Sequence, residues 1–416
     1  MCVLVGWTLA LALAASLSAQ EEQGEPPEVE QEPQEASEPF MRIYWDEGLH
    51  IAGLRQNFTV KVGGLIQNDT AFFSKQSDIE VELGELKNGL EWRRVRMYAE
   101  GVFARFFEYK FMYDFAANNP PRLKDAFLSY RFPFAPIRVQ GGRFRTRLSL
   151  EGGTSAINTT FMERGLLSAF VPSRNTGFLF LGDREDLTRH LWWAIGLVQK
   201  ETQFDISADG SFGVSGRFAY AWRDQETLDL VHLGANFFTR PADSGEAIRF
   251  LERPESHLAP IFVDTGDIDA TDSRTFIFEA AMVRGAFSLQ SELATSYVIA
   301  TETDNLRFKT FYAYASYFLT GESRRYDSRQ AAFGAVRPRR TFTDFKDSYG
   351  AIEIAFRYSH LDLDDKEIDG GILNDFTAAV NWYPNRHARV MANLIRAKRK
   401  GFDGIWIFEI RLQWAY

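Results

Sequence analysis

The clearest pattern lies at the end of the chain. From Trp406 every second residue is large and apolar: Trp406, Phe408, Ile410, Leu412, Trp414 and Tyr416. Ile407, Glu409, Arg411, Gln413 and Ala415 alternate with them, so the opposite face is mostly polar. A period of two predicts a strand, and one apolar face means a half-buried strand. That face meets either a protein core or lipid. Phe107 to Phe115 decides between the two: five aromatics point one way, and Glu108, Lys110, Met112 and Asp114 the other. No water-exposed surface carries such a face uncovered, and five rings are too wide for a tidy core layer. Lipid fits better than the core of a soluble β-sandwich.

The same alternation predicts sixteen segments: roughly 57–67, 90–103, 105–116, 123–132, 136–147, 175–183, 190–199, 212–222, 228–238, 273–283, 286–298, 306–319, 348–360, 372–383, 387–398 and 404–416. Each is about ten residues or slightly more, the length a tilted strand needs to cross a bilayer. The fold class this predicts is all-β, a transmembrane antiparallel barrel of about 16 strands over residues 40–416, in the outer membrane of a Gram-negative bacterium. An even strand number puts both termini in the periplasm. Trp382-Tyr383-Pro384-Asn385 and Val283-Arg284-Gly285 read as tight turns. Three connections, about 148–174, 239–272 and 320–347, are too long for turns and are expected to fold into the lumen, the first above all.

Ahead of the barrel, Met1 to Ala19 reads as a secretory signal: Val3 to Leu17 is apolar but short, although no Lys or Arg precedes it. Residues 20–39 are rich in Glu, Gln and Pro and predict a disordered tether; Pro26, Pro27 and Pro33 exclude a coiled coil. Hydropathy alone does not reveal the barrel, since half of each strand faces water. No later stretch approaches eighteen consecutive apolar residues, which excludes a helical span. The 37 Phe suit a lipid-facing belt. The one cysteine, Cys2, falls in the signal, so disulfides and thiolate chemistry are excluded from the mature chain.

The formal charge of −9 is unevenly placed, with eight Glu and no basic residue in 21–38. Without them the body carries 48 acidic against 47 basic residues, so any ion preference depends on where the charges sit. The most informative placement is Arg143, Arg145 and Arg147, which on a continued strand share one face at about 6–7 Å spacing and lead into the first long connection. Such a ladder offers forked donors to oxyanions, and a confined ion pair is worth roughly a few kcal/mol at an effective dielectric near 20. Arg94 and Arg96 share a face of the second strand with Trp92 and Tyr98. Arg131, Arg217, Arg357 and Arg389 also fall on predicted inner faces. So do Asp114, Asp125, Glu279, Glu292, Glu353 and Glu409, any of which can cancel an arginine.

The acidic run Asp362 to Gly371 lacks the spacing of a calcium loop and reads as a solvated outer loop, as do Asp264, Asp267, Asp269 and Asp272. The six histidines are scattered, and nucleophile-elbow, phosphate-loop and dinucleotide patterns are missing. No enzyme, cofactor, metal or nucleic-acid role is expected.

Several segments together resemble the phosphate-selective porin O/P family across about 44–416. They include Arg93-Arg94-Val95-Arg96, Lys124-Asp125-Ala126-Phe127, Gly142 to Glu151, Phe161-Met162-Glu163-Arg164, Tyr317 to Glu322, Arg357-Tyr358-Ser359 with Asp362-Leu363, and Asn381-Trp382-Tyr383. The resemblance implies a homotrimeric sixteen-stranded porin with an arginine ladder and three inward-folded connections, two from outside and one from the periplasm. The family often has Lys, then Pro, where this chain has Arg145 and Arg147, a change of donor hydration and geometry. The expectation is a passive channel for small anions, phosphate or a related oxyanion first. Arg143, Arg145 and Arg147 would line its constriction, with Arg94, Arg96, Arg131 and Arg217 guiding entry and lipid and lipopolysaccharide around the wall. Its rivals are a general or carboxylate-selective porin and, further off, a non-transporting envelope scaffold.

Overall fold

The computed structural model describes residues 41–53, 57–75, 77–116, 122–199, 211–227, 229–242, 247–343 and 347–416. The expected signal at 1–19 and acidic tether at 20–39 lie outside the described residues. No described helix is long and apolar enough to cross a membrane.

The described residues form sixteen long antiparallel strands. In chain order these are β1 (Phe58–Phe73), β2 (Gly89–Phe103), β3 (Phe107–Asp114), β4 (Arg122–Arg131), β5 (Ile137–Phe144), β6 (Asn175–Glu185), β7 (Arg189–Gln199) and β8 (Phe212–Arg223). They continue with β9 (Leu230–Pro241), β10 (Ile268–Arg284), β11 (Phe287–Ala300), β12 (Leu306–Phe318), β13 (Ala351–Asp365), β14 (Ile368–Tyr383), β15 (Ala388–Arg399) and β16 (Ile405–Ala415). Each pairs with its sequence neighbours, and β16 closes onto β1 from Ile407↔Phe73 to Ala415↔Leu65. Every strand expected from the alternation has its counterpart.

The alternation sets the two faces. On β16 Trp406, Phe408, Leu412 and Trp414 are exposed on the outside, while Ile407, Glu409, Arg411 and Gln413 are buried inside. At the seam the Tyr416 ring lies against Gly64, where a Cβ would stand 2.6 Å from it, and the two backbones exchange hydrogen bonds of 2.9 and 3.1 Å. Gly285, at φ 55°, makes the expected tight turn between β10 and β11.

Two features depart from the periodicity reading. A hairpin, Met41–Trp45 with Leu49–Gly53, precedes β1. β1 outruns the end of β16, and Leu49 to Ala52 pair with Val62 to Thr59, covering an edge that would otherwise stay open. The acidic run is a hairpin tip rather than an outer loop. β13 continues to Asp365 because Leu363 is buried inside, and Asp364 accepts the Gly371 amide at 2.7 Å. Asp269 and Asp272 likewise lie on β10.

All three long connections fold inward. The first, 145–174, crosses the barrel: Leu150 and Glu151 amides reach Glu292 on β11, and the Thr159 and Thr160 carbonyls accept from Arg389 on β15. The second, 242–267, enters from the same end and sets Phe250 edge-to-face against Phe170 and Phe308 at 5.1 and 5.7 Å. The third, 319–350, enters from the end that carries Tyr416, with Tyr326 on His232 and the Ala331 carbonyl on Arg217.

Phe408 and Leu394 point outward near mid-strand. Phe408→Arg or Leu394→Arg is expected to cost about 2–4 kcal/mol of barrel stability. Denaturant titration of refolding into liposomes checks it, and an unchanged midpoint for both would contradict an outward face in hydrocarbon.

Candidate functional site

β2 supplies the first part of the site through a bulge. Gln67 pairs with Arg94 and Asn68 with Trp92, leaving Arg93 without a counterpart on β1. The extra residue shifts the alternation, so Arg93, Arg94 and Arg96 all reach the lumen while Trp92 turns outward. Trp92 is 59% exposed, so it does not share the arginines' face as the simple period required.

The second part comes from the first inward connection, where Arg145, Arg164 and Arg174 converge on the same side, with Lys124 from β4. These seven cations line one cavity of about 230 Å³ together with Ser149, Glu151 and the Val171 to Ser173 backbone. Glu163 takes Arg93 at 2.8 and 3.0 Å, Arg94 at 3.3 Å and Arg411 at 2.6 Å. Arg96 is paired with Asp114 at 2.7 Å, and Arg174 with Asp125 at 2.9 Å. Arg145 donates to the Thr154 carbonyl at 2.7 Å, and Arg164 to the same carbonyl at 3.0 Å and to that of Glu151 at 3.1 Å. Among the described residues these seven cations outnumber the four carboxylates that face them, Glu163, Asp114, Asp125 and Glu151, two of which also serve Arg411 and Arg357, so positive charge is in excess.

The electrostatics follow from that surplus. Burial raises the Glu163 carboxyl, but Arg93, Arg94 and Arg411 overcome it and hold the group well below the carboxylate range. Burial, then the guanidiniums of Arg174 and Arg164, pull Arg145 well below its ordinary value. Positive charge is crowded there, and an anion in the cavity would relieve it. A second cavity of about 220 Å³, lined by Asn175, Arg240, Ser273 and Thr275, shares Val171 and Pro172 with the first. An apolar groove of about 710 Å³ lies on the outer wall over Ala280, Ala313 and Phe356, away from these cations.

The structure divides the residues picked out from sequence. Arg94, Arg96 and Arg145 meet in the cavity. The expected ladder breaks because β5 ends at Phe144. Arg143 pairs across to Ala126 and Thr176 on the outward register and donates to the Leu123 carbonyl at 3.1 Å, so it leaves the lumen face. Arg147 lies beyond Phe144 on the side of Arg138, Asp327 and Arg217; burial first, then Arg138, push it down to about 10. Its Nη1 is buried without a partner. Arg217 is locked to Glu279 by two 2.8 Å bonds beneath the third connection, and Arg131 sits half-exposed at the rim on Glu108. Arg93, Lys124, Arg164 and Arg174 were missed as site residues. A period-two pattern cannot announce a bulge, and nothing in a loop sequence tells where its arginines fold back.

This architecture fits the comparisons with known proteins. A family model described as phosphate-selective porin O and P matches residues 60–403. The chain belongs to that family. It is similar to Porin O of Pseudomonas aeruginosa, 24% identical over 414 residues, covering 89% of this chain and 91% of that one. Among solved structures it is similar to an anion-selective porin from Comamonas acidovorans, with a TM-score of 0.53, 12% identity and coverage of 86% and 100%. It is also similar to the trimer form of OmpT from Vibrio cholerae, with a TM-score of 0.53, 10% identity and coverage of 86% and 99%. The chain is thus an outer-membrane porin by family and a sixteen-stranded barrel by fold, a channel architecture rather than an enzyme's.

Glu163→Gln removes the carboxylate shared by three arginines but keeps an acceptor. The anion-to-cation permeability ratio, read from reversal potentials, is expected to rise severalfold. An unchanged or lower ratio would mean that this cavity does not lie on the ion path.

Proposed function

We propose that this porin passes small oxyanions by passive diffusion, phosphate first, through the cavity lined by Arg93, Arg94, Arg96, Lys124, Arg145, Arg164 and Arg174. The observation that carries the reading is the surplus of positive charge there, with Arg145 and Arg164 directed at backbone carbonyls instead of carboxylates. Guanidiniums held in place by Glu163, Asp114 and Asp125 are pre-organised donors that need no rearrangement to receive an anion. The neighbouring cavity with Arg240 extends the path toward the end where the first two connections enter. Partial neutralisation matters as much as the surplus: an anion held too tightly would block the path instead of traversing it.

The family's name and the anion-selective porin of like fold support small anions as cargo, and the trimeric OmpT supports a homotrimer. We place the Tyr416 end in the periplasm and the first two inward connections on the outside, as an even strand number requires. The inner-wall acids Glu279, Glu292, Glu353 and Glu409 favour the rival reading of a general porin only if they face the path. Glu279 is fully engaged by Arg217, His232 and Asn236.

Arg145→Glu reverses one charge of that surplus within the cavity. Reversal potentials across planar bilayers under a KCl gradient are expected to show chloride preference in the wild type and a sharp loss of it in the variant. Equal selectivity of the two would remove Arg145 from the path, and cation preference in both would favour the general porin.

A further inference from the structure

At the end where the first two connections enter, the outward faces of β10 to β12 and of β15 carry cations. Where β10, β11 and β12 near the first two connections, Arg274 pairs across to Tyr297 and Tyr297 to Arg307, so the three form one outward row. The Arg307 guanidinium lies over the Tyr297 ring at 5.5 Å. Lys309, one outward step below, pairs across to Thr295 and to Asp362. Arg274 keeps Asp272 at 3.0 Å yet leaves about half of its side chain exposed. On β15 Lys398 is exposed, and Arg396 stacks over Trp406 at 5.2 Å. Directly beneath the row the wall is apolar, with Phe276, Phe278, Leu293 and Phe311 all exposed. The corresponding outward positions on β6 to β8 are Thr176 and Phe178, Leu197, and Phe212 and Val214, without a cation. Cations above an apolar band, with aromatics between, stand where a bilayer's headgroups meet its acyl chains.

We propose that Arg274, Arg307 and Lys309 form a binding site for the phosphates of a phosphorylated glycolipid, lipid A of lipopolysaccharide. Its acyl chains would lie along Phe276, Phe278, Leu293 and Phe311. Hydrocarbon gains little on moving from bilayer to an apolar wall, so selectivity rests on the cations. Tyr297 lies against the Arg307 guanidinium, and a cation on a ring face still offers N–H donors to phosphate oxygens. The choice of this lipid rests on the orientation proposed above, in which this end faces the lipopolysaccharide leaflet. The site lies on the outer wall, away from the ion path, so the two readings fail separately.

The test is native mass spectrometry of the full-length protein in mild detergent, with bis-phosphorylated lipid A, dephosphorylated lipid A and phosphatidylglycerol offered in turn. The wild type is expected to retain bis-phosphorylated lipid A at least tenfold more than either alternative. Arg307→Glu combined with Lys309→Glu should lose that excess while reversal potentials stay unchanged. Equal retention of the dephosphorylated form would overturn the proposal even if the double variant did not assemble. Preference for phosphatidylglycerol, or undiminished lipid A retention by an assembled double variant, would also overturn it.

Discussion

Hydrocarbon offers no partner to a peptide N–H or C=O, and that constraint governs the whole molecule. A sheet that meets it must close on itself, because any open edge leaves a row of unpaired groups in lipid. Closure here depends on the last residues meeting the first strand: Ala415 reaches Leu65, and Tyr416 lies against Gly64. Where β16 runs out, the Leu49–Gly53 strand of the leading hairpin takes over the exposed stretch of β1. Once the ring is closed, alternation fixes each side chain as lipid-facing or lumen-facing, and the lumen becomes a place where charges collect.

Three connections narrow the lumen, and its charges hold them in place. Arg411 bridges Asp69 and Glu163, Arg357 reaches Glu151 and the Glu163 carbonyl, and Arg217 with Glu279 anchors the third connection. Each pair ties an inward segment to the wall, and breaking one would leave an uncompensated buried charge. Most of the chain's inner arginines are therefore spent on structure. What remains for the proposed path is the local surplus near Arg145, where carboxylates are outnumbered.

The wall was legible in sequence because its rule is local. Trp406 to Tyr416 and Phe107 to Phe115 declare their faces within a few residues, and so did all sixteen strands. The site was legible only in part. The period of two points Arg94 and Arg96 inward, as the structure has them, but the bulge at Arg93 that brings in a third arginine and turns Trp92 out leaves no mark on it. A ladder through Arg143 requires a strand that continues to Arg147. The strand stops at Phe144, and Arg145 then follows loop geometry set by Thr154, nine residues on. Arg164 and Arg174 reach the cavity through the path of a loop across the barrel, which depends on distant partners such as Glu292 and Arg389. The resemblance had already singled out Phe161-Met162-Glu163-Arg164 and Lys124-Asp125, a signal that marked these positions without giving their geometry.

The central claim is that a crowded, partly neutralised set of guanidiniums attracts oxyanions and lets them pass. Phosphate added during single-channel recording of chloride current tests it most directly. The account predicts brief, concentration-dependent interruptions of the chloride current that saturate as the cavity fills. A chloride current indifferent to phosphate at every concentration would contradict it.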